Sequence, residues 1–403
     1  MTAAAADVST TAEFTQTNAT NQATFYDDTI SSSSANMVNS SINGREGTDS
    51  LTITGALGGF TFGAAGGAGA LVVNVENIIF GDGANTITGL DSAVKNITGG
   101  TGADDITITG IAGGGTISLG AGTDTLQLGA GTYTGIYNFG AAADTIELSG
   151  VTDISGVTIT GLTGENFTLT GATTTTMTDS QFDTIVDGAT VTAANAANAI
   201  TISDTATMVV SGGERAIETF TLASTGNDSI EIVMADADAI LGNITITAGG
   251  NDTIILDNAT VEGIEATDYI TVTGFTAGGG DRLTVQVANT THDDGYQSVV
   301  GAGQNLTVAT DSVIELTGSN SGDLTDVSDG GDVETIIAAA IADSTSVGVA
   351  DVTFIVYDGA NAGIYTANIT VSDADLATGE FELELIAILN GVGADALTSS
   401  DFF

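Results

Sequence analysis

Four residues, Asn85, Asp104, Asp124 and Asp144, recur at spacings of 19, 20 and 20. Each ends a short turn-like segment: Phe80-GDGANTIT, Gly99-GTGADDIT, Leu119-GAGTDTLQ and Phe139-GAAADTIE. Glycine tolerates positive φ and lets backbone carbonyls converge, and the acidic residue adds a carboxylate. Calcium takes about six to eight oxygen ligands at about 2.3–2.6 Å, which carbonyls and carboxylates of neighbouring turns can supply. Further acidic turns end at Asp228, Asp252 and Asp281, spaced 24 and 29 apart, and an earlier one ends at Asp49. The candidate calcium ligands are therefore Asp82, Asn85, Gly100, Gly102, Asp104, Gly120, Gly122, Asp124, Asp144, Asp228, Gly250, Asp252 and Asp281. The bland alternative is that Asp and Asn simply make good turns. The acidic run Asp323, Asp326, Asp329 and Asp332 reads better as a solvated loop than as a site.

The elements that position these turns are short strands. Ser50–Thr54, Asp105–Thr109, Thr116–Leu119, Thr125–Leu128, Thr145–Leu148 and Phe167–Thr170 alternate apolar and polar residues, with turn signals between them. One coil is then strand, acidic turn, strand and plain turn, about 20 residues in all, the kind of period that marks a solenoid. Such a coil cannot bury its apolar face alone, and stacking makes the core continuous. The expected fold is all-β: a right-handed parallel β-roll or β-solenoid over residues 43–285, with no helical period in that stretch. Within it, 150–225 reads as solenoid with degenerate turns. Residues 286–403 read as a small C-terminal α+β cap, with one helix over Asp332–Asp343 and Asp329 or Asp332 as its N-cap. Residues 1–42, rich in Ser, Thr, Asn and Ala, read as a flexible arm or as an attachment or assembly segment.

Composition narrows the partners. There are 51 acidic residues against 4 basic ones, a formal charge of −47. Nucleic acid and anionic lipid are repelled by such a chain, and no segment reads as a membrane insertion. Bound divalent cations would relieve the self-repulsion. With no Cys, no disulfide or thiolate metal site forms, and with no Pro, chain reversals fall to Gly, Asn and Asp. The N-terminus shows no signal peptide. The single histidine, His292, excludes HExxH chemistry and reads as part of a solvated turn, and no G-x-S-x-G elbow is present. The expectation is that the chain is not an enzyme.

The segment Gly99-GTGADDIT fits the nonapeptide G-G-x-G-x-D-x-U-x, and the repeat resembles the RTX (hemolysin-type) calcium-binding β-roll family. Asp268-YITVTGFTAGGGDRLTV is similar to the segment that opens the C-terminal module of those proteins. Leu385-IAILNGVGADALTSSDFF looks like their uncleaved type I secretion signal. Val73-NVENIIFGDGANTITG and Gly213-ERAIETFTLASTGNDSIEI are similar to coils of RTX-type bacterial surface-layer proteins. The resemblance implies a calcium cofactor, type I secretion and an extracellular or cell-surface location. It also implies self-assembly with other copies of the chain into a surface layer or fibre, with arm 1–42 able to meet a cell-surface polysaccharide. The competing expectation is an adhesin or ice-binding solenoid, based on T-x-T strands such as Thr52/Thr54, Thr107/Thr109 and Thr245/Thr247.

Overall fold

The computed structural model of the chain describes residues 20–22, 27–37, 41–62, 69–90, 94–109, 114–162, 166–186, 189–193, 197–211, 217–234, 242–246, 249–258, 269–287, 290–291, 296–300, 307–308, 312–317, 328, 330–340, 346–347, 350–369, 381–394 and 396–402. His292, Asp323, Asp326, Asp329 and Thr247, singled out above, lie outside these residues. The chain forms two compact units, 1–198 and 199–403. Both are stacks of parallel β-coils, as the repeat predicts.

In the first unit, two parallel ladders run through the coils. One stacks Ile30, Leu51, Ile78, Ile97, Ile117 and Tyr137 in register. The other stacks Phe60, Ile87, Ile106, Leu126, Ile146 and Phe167. All twelve are buried. Period-2 alternation sends one apolar residue of each short strand inward, so every coil adds a rung to each column. Each buried Ile or Leu contributes on the order of 2 kcal/mol. The ladder starts before residue 43, because Thr29–Ser33 pairs with Ser50–Thr54. Its inward positions are Ile30 and a buried Ser32, so the apolar pattern is too thin to read in a serine-rich stretch.

After residue 130 the strands lengthen. Gly131–Asn138, Thr145–Thr160 and Asn166–Met177 bend through register shifts and add a third face of parallel pairs. A short helix, α1 (Ser34–Met37), lies in an early coil. A second, α2 (Asp179–Ile185), interrupts the expected run of strands in a stretch that shows no helical period. Seven residues are too few for a hydrophobic period to register, but Thr178 and Gln181 form a capping box that a sequence scan could have used.

In the second unit, Ile200, Phe220, Ile244, Val272 and Leu389 form one parallel column. Met208, Ile230, Ile254 and Leu283 form the opposite one. All nine are buried. The strand Phe381–Asn390 supplies Leu389, so a segment more than 100 residues downstream of Val272 completes the stack. The intervening chain is α+β, in line with the expectation. Tyr296–Val300, Ser312–Thr317 and Ala350–Tyr357 pair in parallel, then Ala350–Tyr357, Ala362–Ile369 and Phe381–Asn390 pair antiparallel. The helix α3 (Gly330–Ala340) covers them with Val333, Ile337 and Ala340, packed in a core that includes Phe354, Tyr365 and Leu385. Asp332 lies inside its first turn and is not the N-cap.

Candidate metal centre

The acidic turns place their last residue inside the coil, not on its surface. Asn85, Asp104, Asp124 and Asp144 are 0–1% exposed, and Asp228, Asp252 and Asp281 are at most 4% exposed. Each unit carries them as a column. In the first unit the Asn85 N–H donates to Asp104 Oδ1 (3.0 Å), the Asp104 N–H to Asp124 Oδ1 (2.8 Å), and the Asp124 N–H to Asp144 Oδ1 (2.8 Å). The rung residue's own carbonyl accepts from the first strand residue of the next coil: Asp105 onto Asn85, Thr125 onto Asp104 and Thr145 onto Asp124. In the second unit Ala206, Asp228 and Asp252 N–H groups donate to Asp228, Asp252 and Asp281 Oδ1 at 2.7, 2.9 and 3.0 Å. One carboxylate oxygen per rung thus stitches coil to coil, which is a structural task for a turn residue.

The second oxygen divides the rungs. Asp124 Oδ2 and Asp49 Oδ2 are buried and meet no hydrogen-bond donor. Burial pushes the Asp124 carboxyl up from the ordinary 3.8 to about 6. The Asp104 N–H pulls it back, and the Asp104 and Asp144 charges push it further up. Asp49 and Asp252 are raised by burial too. A buried carboxylate oxygen without a donor is costly unless it takes a proton or a cation. Elsewhere the protein supplies the donor. Ser224 Oγ lies 2.9 Å from both oxygens of Asp228, Asp281 Oδ2 accepts from the Thr276 N–H (2.7 Å), and Asp104 Oδ2 accepts weakly from Gly100 N–H (3.3 Å).

The glycines fit the same geometry. A Cβ on Gly120 would fall on the Gly100 carbonyl oxygen, one on Gly122 on the Gly102 oxygen, and one on Gly250 on the Gly226 oxygen. The turns therefore stack carbonyl over backbone with no room for side chains. Asp82, by contrast, is exposed and stays out of the column.

The donor set suits a hard cation only if carbonyls supply most of it. Among the described residues no group of three or more His, Cys, Asp or Glu gathers around one point. Each acidic rung offers one carboxylate on a column of stacked glycine turns, and carboxylate with carbonyl oxygen is the mixed kind of ligand that calcium takes. The orphaned Asp124 Oδ2 fits such an ion; the Asp228 rung, already supplied with a hydroxyl, has less need of one.

Two rungs escaped the sequence reading as ligands. Asp49 Oδ1 accepts from the Asp28 N–H (2.8 Å), and the Asp49 N–H donates to Glu76 Oε2 (2.7 Å), so a glutamate serves as the next rung. Asp401, 1% exposed, ends the second unit: its Oδ1 accepts from the Gly278 N–H (2.6 Å) and its Oδ2 from the Thr398 N–H (2.7 Å). Phe402 stacks on Tyr296 at 5.8 Å. Asp401 sits on the turn Thr398–Asp401, which carries no glycine, so the repeat's signal is missing there.

The outward columns are mixed. Thr61 and Thr88 hydroxyls meet at 3.1 Å, but farther along Thr107 bonds to Gln127 (2.9 Å) and Thr170 to Glu147 (2.8 Å). Among the described residues, threonine thus shares these outward columns with glutamine and glutamate. No described helix is long and apolar enough to cross a membrane. No protein-family model, no curated protein and no solved structure matches the chain.

Proposed function

We propose that this chain is a secreted, calcium-dependent structural protein that assembles with copies of itself into a bacterial surface layer or extracellular fibre. The observation that carries the reading is the buried, donorless Oδ2 of Asp124 in a column of carboxylates, within a chain of net charge −47. Asp104 and Asp124, with the glycine carbonyls of their turns, are the residues that would hold the ion. The ion supplies positive charge where neighbouring coils bring acceptors together. Without it, the carboxylates repel one another and are poorly solvated, so coil stacking is opposed. Extracellular calcium modules bind at about 10⁻⁴–10⁻³ M, so such rungs are empty in a cytosol and filled outside. Binding energy then becomes folding energy.

Assembly rests on the stacked architecture, the acidic composition that calcium can bridge, and the resemblance of the coils. Circular dichroism with calcium and with EGTA, followed by electron microscopy of both samples, tests the two parts. The expected result is β structure and ordered arrays with calcium and loss of both with chelator. Equal β content in the two conditions overturns calcium dependence, and a monomer in millimolar calcium overturns assembly.

A further inference from the structure

The Asn85 rung differs from its neighbours in one atom. Its backbone makes the column's usual bonds, and its Oδ1 accepts from the Leu57 N–H (2.9 Å), as Asp124 Oδ1 accepts from the Asp104 N–H (2.8 Å). Its second side-chain atom is a nitrogen. That nitrogen sits among three oxygens: Gly81 O (3.1 Å), Gly83 O (2.9 Å) and Asp104 Oδ1 (2.7 Å). The opposite amide orientation would set NH2 against the Leu57 N–H and oxygen against the carbonyls, so the donors and acceptors fix the assignment. An NH2 has two hydrogens, and three acceptors surround it. The position is therefore rich in negative potential even after the amide has filled it. At Asp124 the matching atom is Oδ2, fully buried, with no donor.

We propose that the Asn85 side-chain amide is a built-in substitute for the cation, so that this rung closes without metal and serves as the fixed start onto which the calcium-filled rung at Asp124 is built. The proposal rests on the calcium reading above and deepens it. It divides the rungs of the two units into those closed by the protein's own donors, Asn85 by its amide and Asp228 by the Ser224 hydroxyl, and those that need an external charge. Asn85, placed by its spacing among the ligands, is then the residue that replaces the ion. A reciprocal exchange follows. Asn85→Asp turns a closed rung into an ion-requiring one, and Asp124→Asn does the reverse, its new NH2 donating towards the carbonyls of the Gly120–Gly122 turn.

The test uses the full chain and three proteins: wild type, Asn85→Asp and Asp124→Asn. Calcium stoichiometry is read by titration calorimetry and the thermal midpoint is read in EGTA. Asp124→Asn should bind one ion fewer and melt several degrees higher in EGTA. Asn85→Asp should bind one ion more and melt several degrees lower in EGTA, with the loss recovered in calcium. Unchanged stoichiometry in both variants of a calcium-binding wild type, or an EGTA midpoint that falls in Asp124→Asn, overturns the proposal. So does an Asn85→Asp chain that stays unfolded in millimolar calcium. A wild type that binds no calcium sinks the calcium reading alone; the opposite EGTA shifts of the two variants still decide whether the amide fills the position.

Discussion

The rungs at Asp124 and Asp228 share a backbone and differ in what meets the second carboxylate oxygen. Both residues are buried, both accept the previous rung's N–H through Oδ1, and both pass their own N–H to the next rung. In the first unit Asp124 Oδ2 meets no donor, whereas in the second Asp228 has the Ser224 hydroxyl at 2.9 Å. The regular turn, with Gly120 four residues before the acid, leaves Asp124 wanting a charge. The turn that departs from the repeat, with serine at that place, is closed. A repeat that looks degraded in sequence is thus better satisfied as a neutral-donor structure. Between these two rungs, the departure from the repeat is what supplies the donor.

The largest effect should ignore this distinction and strike both units alike. Gly122 has φ +148° and Gly250 has φ +95°, and a Cβ on either would collide with a carbonyl of the previous coil. Gly122→Val and Gly250→Val should each cost on the order of 3 kcal/mol or more, because backbone-to-backbone contacts cannot repack. Denaturant titration with and without calcium checks it. A loss that calcium restores would mean that the turns fold on the ion and not on their own stacking.

The second effect is read through pH and is carried most by the Asp124 rung. The Asp124 carboxyl is raised in the fold to about 6 from an ordinary 3.8. A raised acid binds its proton more tightly folded than unfolded, so folding is favoured below the lower value and weakened as pH climbs through the higher one. In EGTA the chain should therefore be more stable near pH 4 than near pH 7, with the loss spread between about 4 and 6, and Asp49 and Asp252 acting in the same direction. Calcium should flatten the profile. Thermal midpoints across that range, in EGTA and in calcium, read it directly. A chelated protein that gains stability towards neutrality would refute it.

How much of this was legible follows from the same chemistry. The 20-residue period, Asp104, Asp124 and Asp144, and the inward Ile and Leu were readable because each coil repeats them at one register. The part played by Ser224 was not, since its hydroxyl matters only through Asp228 four residues on, and serine is common throughout the chain. Asp401 was hidden because its coil is split: the strand before it follows an α+β insertion, so spacing from Asp281 carries no period. Asn85 was placed correctly in the column, but its role depends on which side-chain atom faces the carbonyls, and only geometry shows that. Residues 29–33 were passed over because a buried Ser32 does the work of an apolar residue.

A smaller effect turns one unit's rung into the other's. Ser224→Ala removes the hydroxyl from Asp228 and leaves its buried carboxylate as Asp124 is now. In EGTA the variant should lose about 1–3 kcal/mol, the range for a buried polar group deprived of its partner. In calcium much of that loss should return, because the rung has become open to an ion. An equal loss in both conditions would show that the serine packs and does not substitute for a charge.

The smallest effect lies where the first unit abandons the acidic turn for α2. Thr178 Oγ1 accepts from the Gln181 N–H (3.2 Å), and Gln181 Oε1 accepts from the Thr178 N–H (2.8 Å). The same Gln181, 6% exposed, donates through Nε2 to Ile154 O (2.7 Å) and Val157 O (2.6 Å). A side-chain amide again closes two carbonyls, as Asn85 does, and again no ion is called for. Thr178→Ala removes one of the two reciprocal bonds and leaves the amide in place, so it should cost about 1 kcal/mol, the usual worth of a helix N-cap. Because Thr178 caps a helix and takes no part in the described column of rungs, that cost should be the same in calcium and in EGTA. A calcium-dependent cost at Thr178 would mean that ion binding reaches beyond the acidic column, and the division between closed and open rungs would then be too local.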